Sequence, residues 1–177
     1  EIMPSLVGSE MCIRDRFTTL HSCHTSKNAG NNHIRQIATA AKRLDMSIDY
    51  ADNHALFIES AQWLGVPYRG GGRSKRGVDC SGLTKCIYKN VYDIELSPSS
   101  QLQLDRDINR RVRKKHLKQG DLVFFSERKS ARRISHVGIY LKDGKFLHAS
   151  SKRGVRIDYL DDQYWRRRWI IGGRILK

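Results

Sequence analysis

The sequence predicts an α+β domain, with helices packed on one face of an antiparallel sheet. Three observations predict it. Apolar residues recur at helical spacing as far as about Asn90. From Gly120 the pattern becomes strand-like, in short segments divided by turn residues. Helices therefore come first and strands later, the order of segregated layers rather than of alternating βαβ units.

The 177 residues suit one domain with an extension. A chain of this length buries roughly 68–70% of its unfolded surface, so it needs no staples. With 39% hydrophobic and 8% aromatic residues it carries too much apolar material for a disordered chain. No apolar run approaches the roughly 18 residues a membrane span requires. Lys and Arg number 33 against 18 Asp and Glu, a formal charge of +15 that points to an anionic partner. The cations cluster at Arg73–Arg76, Arg106–Lys115, Arg128–Arg133 and Arg166–Arg168 without a stacking platform or nucleic-acid motif, so no nucleic-acid partner is expected.

Along the chain, residues 1–16 lack periodicity and read as a non-native, adaptor-like stretch, set aside for fold reasoning. Residues 17–33 read as a polar arm. Within it, Leu20-His21-Ser22-Cys23 resembles the end of a bacterial lipoprotein signal, with Cys23 the lipidated residue, although the upstream apolar run is missing. A metal site from His21, Cys23 and His24 lacks a fourth ligand. Thr25–Asn32 is a linker by composition. Ile34–Leu44 is a short helix that completes an extension over residues 1–50, and the folded domain occupies 51–177. There, Asp52–Leu64 is helical, with Phe57, Ala61 and Leu64 on one face and Gly65 and Pro67 ending it. A glycine-rich loop, Tyr68–Gly72, leads to a helix from Cys80 to about Asn90, and Ser97-Pro98 opens another short one. Strands follow at Asp121–Ser126, Ser135–Leu141, Lys145–Ser150, Val155–Tyr159 and Trp169–Leu176.

Four cysteines, Cys12, Cys23, Cys80 and Cys86, fit neither zinc nor disulfide spacings. Cys80 and Cys86 on one helix are about 9 Å apart along its axis and on different faces, so they stay free. Asp79 reads as an N-cap, which puts Cys80 at the first helical position. Orphan amides and the helix dipole there favour a thiolate, the nucleophilic form of cysteine. Gly82 in that first turn implies close approach by another group. The competing reading is a buried structural cysteine.

The histidines narrow the choice. Ser135–Leu141 and Phe146–Ser150 flank a turn, Lys142-Asp143-Gly144. A three-residue loop with Gly144 left-handed sets Leu141 opposite Lys145 and Gly138 opposite His148, with His136 diagonal to His148. Val137, Ile139, Leu141, Leu147 and Ala149 then form one face, and His136, Tyr140, Phe146 and His148 the other. If the Cys80 helix packs on that second face, the thiol meets His136. Metal binding by one Cys and two His is the alternative, short of a fourth ligand.

Pro67-Tyr68-Arg69-Gly70-Gly71, Asp79-Cys80-Ser81-Gly82, Gly120–Phe125, His136–Tyr140 and His148-Ala149 together resemble the NlpC-type papain-like peptidoglycan endopeptidases, over about Asp52 to Leu176. The resemblance implies a papain-like core with the nucleophile helix on the sheet. It implies hydrolysis of cell-wall stem peptides, often at the D-γ-glutamyl–diaminopimelate bond, without metal or cofactor. Cys80 is then nucleophile, His136 base and His148 the group orienting the base. Tyr68, Asp79 and Ser81 lie near substrate and oxyanion. A thiolate–imidazolium pair is expected, with Cys80 alkylating well below pH 7. A monomer of the cell envelope is expected, tethered if Cys23 is lipidated. Many relatives carry an N-terminal targeting domain, for which residues 1–50 are too few. A same-fold acyltransferase or amidase, and an idle module binding anionic polymer, are the other readings.

Overall fold

A computed structural model of the chain describes residues 23–127 and 133–176, with side chains from Gly30 onward. The readings placed on residues 1–22, on the Cys23 side chain and on residues 128–132 lie outside the described residues. In chain order the elements are α1 (Cys23–Leu44), α2 (His54–Trp63), a small hairpin of β1 (Arg73–Ser74) and β2 (Gly77–Val78), and α3 (Cys80–Tyr92). Then come α4 (Ser100–Leu102), β3 (Arg110–Val112), β4 (Leu122–Phe125), β5 (His136–Tyr140), β6 (Lys145–Ser150), β7 (Gly154–Tyr159), α5 (Gln163–Arg166) and β8 (Trp169–Arg174). Strands β3 to β8 form one antiparallel sheet in the order β3-β8-β4-β5-β6-β7, so the α+β architecture is the expected one.

One expectation needs correcting, and two short elements are added. Residues 25–32 are not a linker, because α1 runs through them. Ala40 and Leu44 are buried in the main core, and once these turns are fixed each further residue adds a hydrogen bond at little cost. The extension is thus built into the core of the domain that follows it. The basic run at Arg106–Lys115 contains β3, whose one buried side chain, Val112, pairs across to Gly172 of β8. Trp165 lies on α5 and plugs the second face of the sheet.

Capping sets both core helices. The Asn53 side chain accepts from the Leu56 amide at 3.1 Å, and α2 then buries Leu56, Phe57, Ala61 and Trp63. Asp79 caps α3 by accepting from the Gly82 amide at 2.7 Å. Leu83, Ile87 and Tyr88 of α3 join Val137, Ile139, Leu141, Leu147 and Ala149 in one core cluster. Val123, Phe125, Phe146, Leu160 and Trp165 form a second cluster. Each fully buried Leu, Ile or Phe contributes about 1.5–3 kcal/mol.

The β5–β6 register is the expected one: Ile139 pairs with Leu147, Tyr140 with Phe146, and Gly144 is left-handed at φ 75°. The helix, however, packs on the Val137–Ile139 face and not on the histidine face. Its apolar side chains match the aliphatic face, while the aromatic residues of the second cluster cover the other.

The close approach implied at Gly82 is made by backbone. A Cβ there would lie 2.2 Å from the Gly72 carbonyl oxygen, in the loop that carries Tyr68. Gly82→Ala is expected to cost about 1–3 kcal/mol through overpacking and to lower activity by displacing that loop. A denaturation midpoint and a turnover rate both within error of wild type would refute this.

Candidate active site

Cys80 is the first residue of α3 and stands where the helix meets the start of β5. The backbone explains the juncture. The Leu141 amide donates to Lys145 at 3.0 Å, so alternate residues Ile139 and Val137 also aim their N–H groups toward β6. Pairing nevertheless stops at Ile139 and Leu147. The Val137 amide instead turns to the Cys80 sulfur, where with the Ser81 amide it favours the thiolate. The thiol thereby sits one residue from His136 although α3 covers the opposite face. The supposed packing was wrong, yet His136 heads its strand and reaches the same cleft from the strand end.

That cleft, about 770 Å³, is lined by Tyr68, Cys80, His136, His148 and Trp165, with Lys152 and Arg153 also on its wall. His136 Nε2 lies 3.0 Å from His148 Nδ1, and the rings are edge-on with centroids 5.0 Å apart. Gly138 permits this approach, since a Cβ there would come 2.7 Å from Phe146 Cδ2 and 3.3 Å from His148 Cβ. Trp165 stacks on His136 with centroids 5.3 Å apart and meets His148 edge-on at 4.8 Å. His148 is buried, and its Nε2 lies 3.0 Å from Asp158 Oδ2.

Tyr68 is held beside the site by its loop. The Val78 amide donates to Pro67 and the Arg69 amide to Val78, at 3.0 and 3.1 Å. Partial burial, with the nearby Cys80 and Asp79 charges, pushes its hydroxyl above the ordinary value, so it remains a donor. Asp79 and Ser81 are not among the cleft-lining residues. Asp79 Oδ2 accepts from the Gly71 amide at 2.7 Å, and Oδ1 accepts from the Gly82 amide and Ser81 Oγ. Ser81 Oγ also donates to the Pro98 carbonyl at 3.1 Å. Both side chains tie the helix start to its flanking loops.

Electrostatics depart from the expected ion pair. Burial pushes the Cys80 thiol above its ordinary value, with the Asp79 charge acting in the same sense, and the amides do not offset this. Burial and the neighbouring His148 ring push His136 down to about 3. Both groups are therefore neutral at pH 7. A reaction that used this pair as nucleophile and base would need a neutral His136 and a protonated thiol, and would be lost when His136 charges near pH 3 or when the thiol ionises above the ordinary pH 9. The expected kcat/KM profile is flat between those limits. Iodoacetamide labelling of Cys80 should rise about tenfold per pH unit from 6 to 8; a labelling plateau below pH 7 would restore the ion pair.

Sequence reasoning missed Asp158 and Trp165. Asp158 lay in a predicted strand, and its parity carried the signal, since β6–β7 pairing sets Phe146 opposite Asp158 and His148 opposite Arg156. Nothing local marked Trp165.

Residues 65–174 match the NlpC/P60 family. The chain is 42% identical over 115 residues to the "Probable endopeptidase NlpC homolog" of Haemophilus influenzae, covering 65% of this chain and 58% of that protein. It is 32% identical over 167 residues to "Murein DD-endopeptidase MepS/Murein LD-carboxypeptidase" of Escherichia coli K12, covering 89% of this chain and 86% of that protein. The crystal structure of an NlpC/P60 family protein from Bacillus cereus superposes with a TM-score of 0.65 at 31% identity, over 74% of this chain and 42% of that one. With its helix-then-sheet order and a cysteine-bearing helix set against the sheet, this chain belongs to the NlpC/P60 family and has its papain-like fold.

Proposed function

We propose that the protein is a cysteine peptidase that hydrolyses amide bonds in peptidoglycan stem peptides, with Cys80 as nucleophile, His136 as base and His148 orienting the base. The observation that carries this reading is that all three open on one cleft while His136 Nε2 is engaged by His148, leaving Nδ1 for the thiol. Cys80 Sγ forms a bond to the scissile carbonyl carbon as its proton passes to His136 Nδ1, a transfer that suits a neutral starting pair. The oxyanion accepts from the Cys80 amide and the Tyr68 hydroxyl; losing one such donor costs on the order of 10²–10³ in rate. Collapse breaks the C–N bond as His136 protonates the leaving amine. A water activated by His136 then hydrolyses the thioester.

The names of the relatives support the substrate, an endopeptidase in one case and a murein endopeptidase and carboxypeptidase in the other. The bond proposed is D-γ-glutamyl–diaminopimelate. A second reading, the D,D-crosslink, is favoured by the Escherichia coli relative, which this chain spans over 86% of its length. Such a substrate suits a protein of the cell envelope, and the proposal includes a monomer tethered through a lipidated Cys23. Isolated sacculi digested with wild type and with Cys80→Ala, then released by a muramidase and weighed by mass spectrometry, test the proposal. Disaccharide dipeptides indicate the γ-bond, and loss of crosslinked dimers the D,D-bond. Adducts with an added amine indicate acyl transfer. Bound protein without products would overturn the enzyme reading in favour of an idle binding module.

A further inference from the structure

We propose that Asp158 is a positioning residue of this site: acting through His148, it determines which nitrogen of His136 is free to take a proton, and Arg156 determines which oxygen of Asp158 faces the relay. The inference rests on the reading of Cys80 and His136 as nucleophile and base. It begins with hydrogen-bond inventory. Asp158 Oδ2 lies 3.0 Å from His148 Nε2 and accepts from Trp165 Nε1 at 2.9 Å. Its Oδ1 lies 2.6 Å from Arg156 Nη2. Partial burial opposes ionisation, but the His148 and Trp165 hydrogen bonds and the Arg156 charge outweigh it, and the carboxyl lies below its ordinary value. A carboxylate only accepts.

For two uncharged rings, one proton arrangement satisfies the chain. His148 must carry its hydrogen on Nε2 to donate to Asp158, which leaves Nδ1 an acceptor. His136 must then carry its hydrogen on Nε2, 3.0 Å away, to donate to His148 Nδ1. His136 Nδ1 is left bare, as a base requires. The opposite arrangement puts the hydrogen on His136 Nδ1 and blocks it. Nothing in the His136–His148 pair by itself prefers one arrangement, since each ring can play either part. The preference comes from the acceptor at the far end.

Arg156 makes this testable. In Asp158→Asn the side chain keeps its size but offers one acceptor and one donor edge. The guanidinium, the charged and shorter contact, takes the oxygen, and the amide NH₂ turns toward His148 Nε2. That forces the blocked arrangement. Removing the guanidinium as well lets the amide oxygen turn back to His148 and Trp165.

Asp158→Asn is expected to lower kcat about 10²–10³-fold with KM changed less than about threefold, the pattern of a wrong tautomer rather than lost binding. Asp158→Asn/Arg156→Met should recover at least about tenfold of that loss, whereas a purely structural role predicts further loss from a second deletion. Nitrogen-15 spectra of the imidazole rings should show wild-type His148 and His136 both protonated on Nε2, and both on Nδ1 in Asp158→Asn. Wild-type rings protonated on Nδ1, an Asp158→Asn kcat near wild type, or a double variant no better than the single one would each overturn the proposal. The ring spectra need no substrate, so a wild-type protein inert on sacculi would defeat the enzymatic reading and leave the relay separately measured.

Discussion

Cys80→Ala, His136→Ala and the double variant are expected to digest sacculi at one common residual rate, on the order of 10³–10⁶-fold below wild type. A nucleophile and its base act as a unit. In the proposed mechanism no acyl-enzyme forms without the sulfur, and without the base the neutral thiol cannot shed its proton, because burial holds it above its ordinary value. Once either is gone the other has nothing left to contribute, so the losses should not add. Folding should survive, since Cys80 is only partly buried at a helix start and His136 heads its strand. Rates on purified sacculi beside thermal melts check this. A His136→Ala variant keeping a tenth of wild-type activity, or a double variant far below both singles, would remove the pair from the mechanism.

Phe125→Ala is expected to destabilise the fold by about 3–5 kcal/mol, through lost burial and a cavity that cannot collapse. The ring is fully buried at the end of β4, with centroids 4.7 Å from Trp165, 5.1 Å from Phe146, 5.8 Å from Trp169 and 6.2 Å from His136. Few positions touch so many rigid rings. At roughly 2–4 °C per kcal/mol for a domain of this size, the melting temperature should drop about 6–20 °C. Activity measured well below that transition should also fall, because Trp165 loses the surface it leans on and carries both imidazoles with it. Urea unfolding with an unchanged slope and a lowered midpoint is the check, and a midpoint within 1 kcal/mol of wild type would show that the rings repack.

The elements whose signals are local were legible in the sequence. Asp79 before Cys80 marked a helix start, and Gly144 fixed a loop length from which the facing of His136 and His148 followed. Four short elements were not legible, and the hairpin strands β1 and β2 are only two residues each. β3 is three residues of a basic run with a single buried side chain, and α5 is four residues long, so neither spans a full period. The face that α3 covers was also hidden, since one strand face is aliphatic, the other aromatic, and periodicity does not say which takes a helix. The thiol's environment was misjudged for a related reason. The helix start is visible in the sequence, while the burial that outweighs its amides is set by tertiary packing.

The amide of Val137 gives the sulfur an unusual neighbour. Where two strands part, the Cys80 sulfur stands in for the missing carbonyl and closes the gap as a rung of another kind. Its position is therefore referenced to a strand of the sheet as well as to its own helix. Capping the thiol with a reagent weakens that rung, so hydrogen exchange at one peptide group should accelerate whenever the sulfur is occupied. The occupancy of the reactive atom is thereby reported by the protection of a single backbone hydrogen.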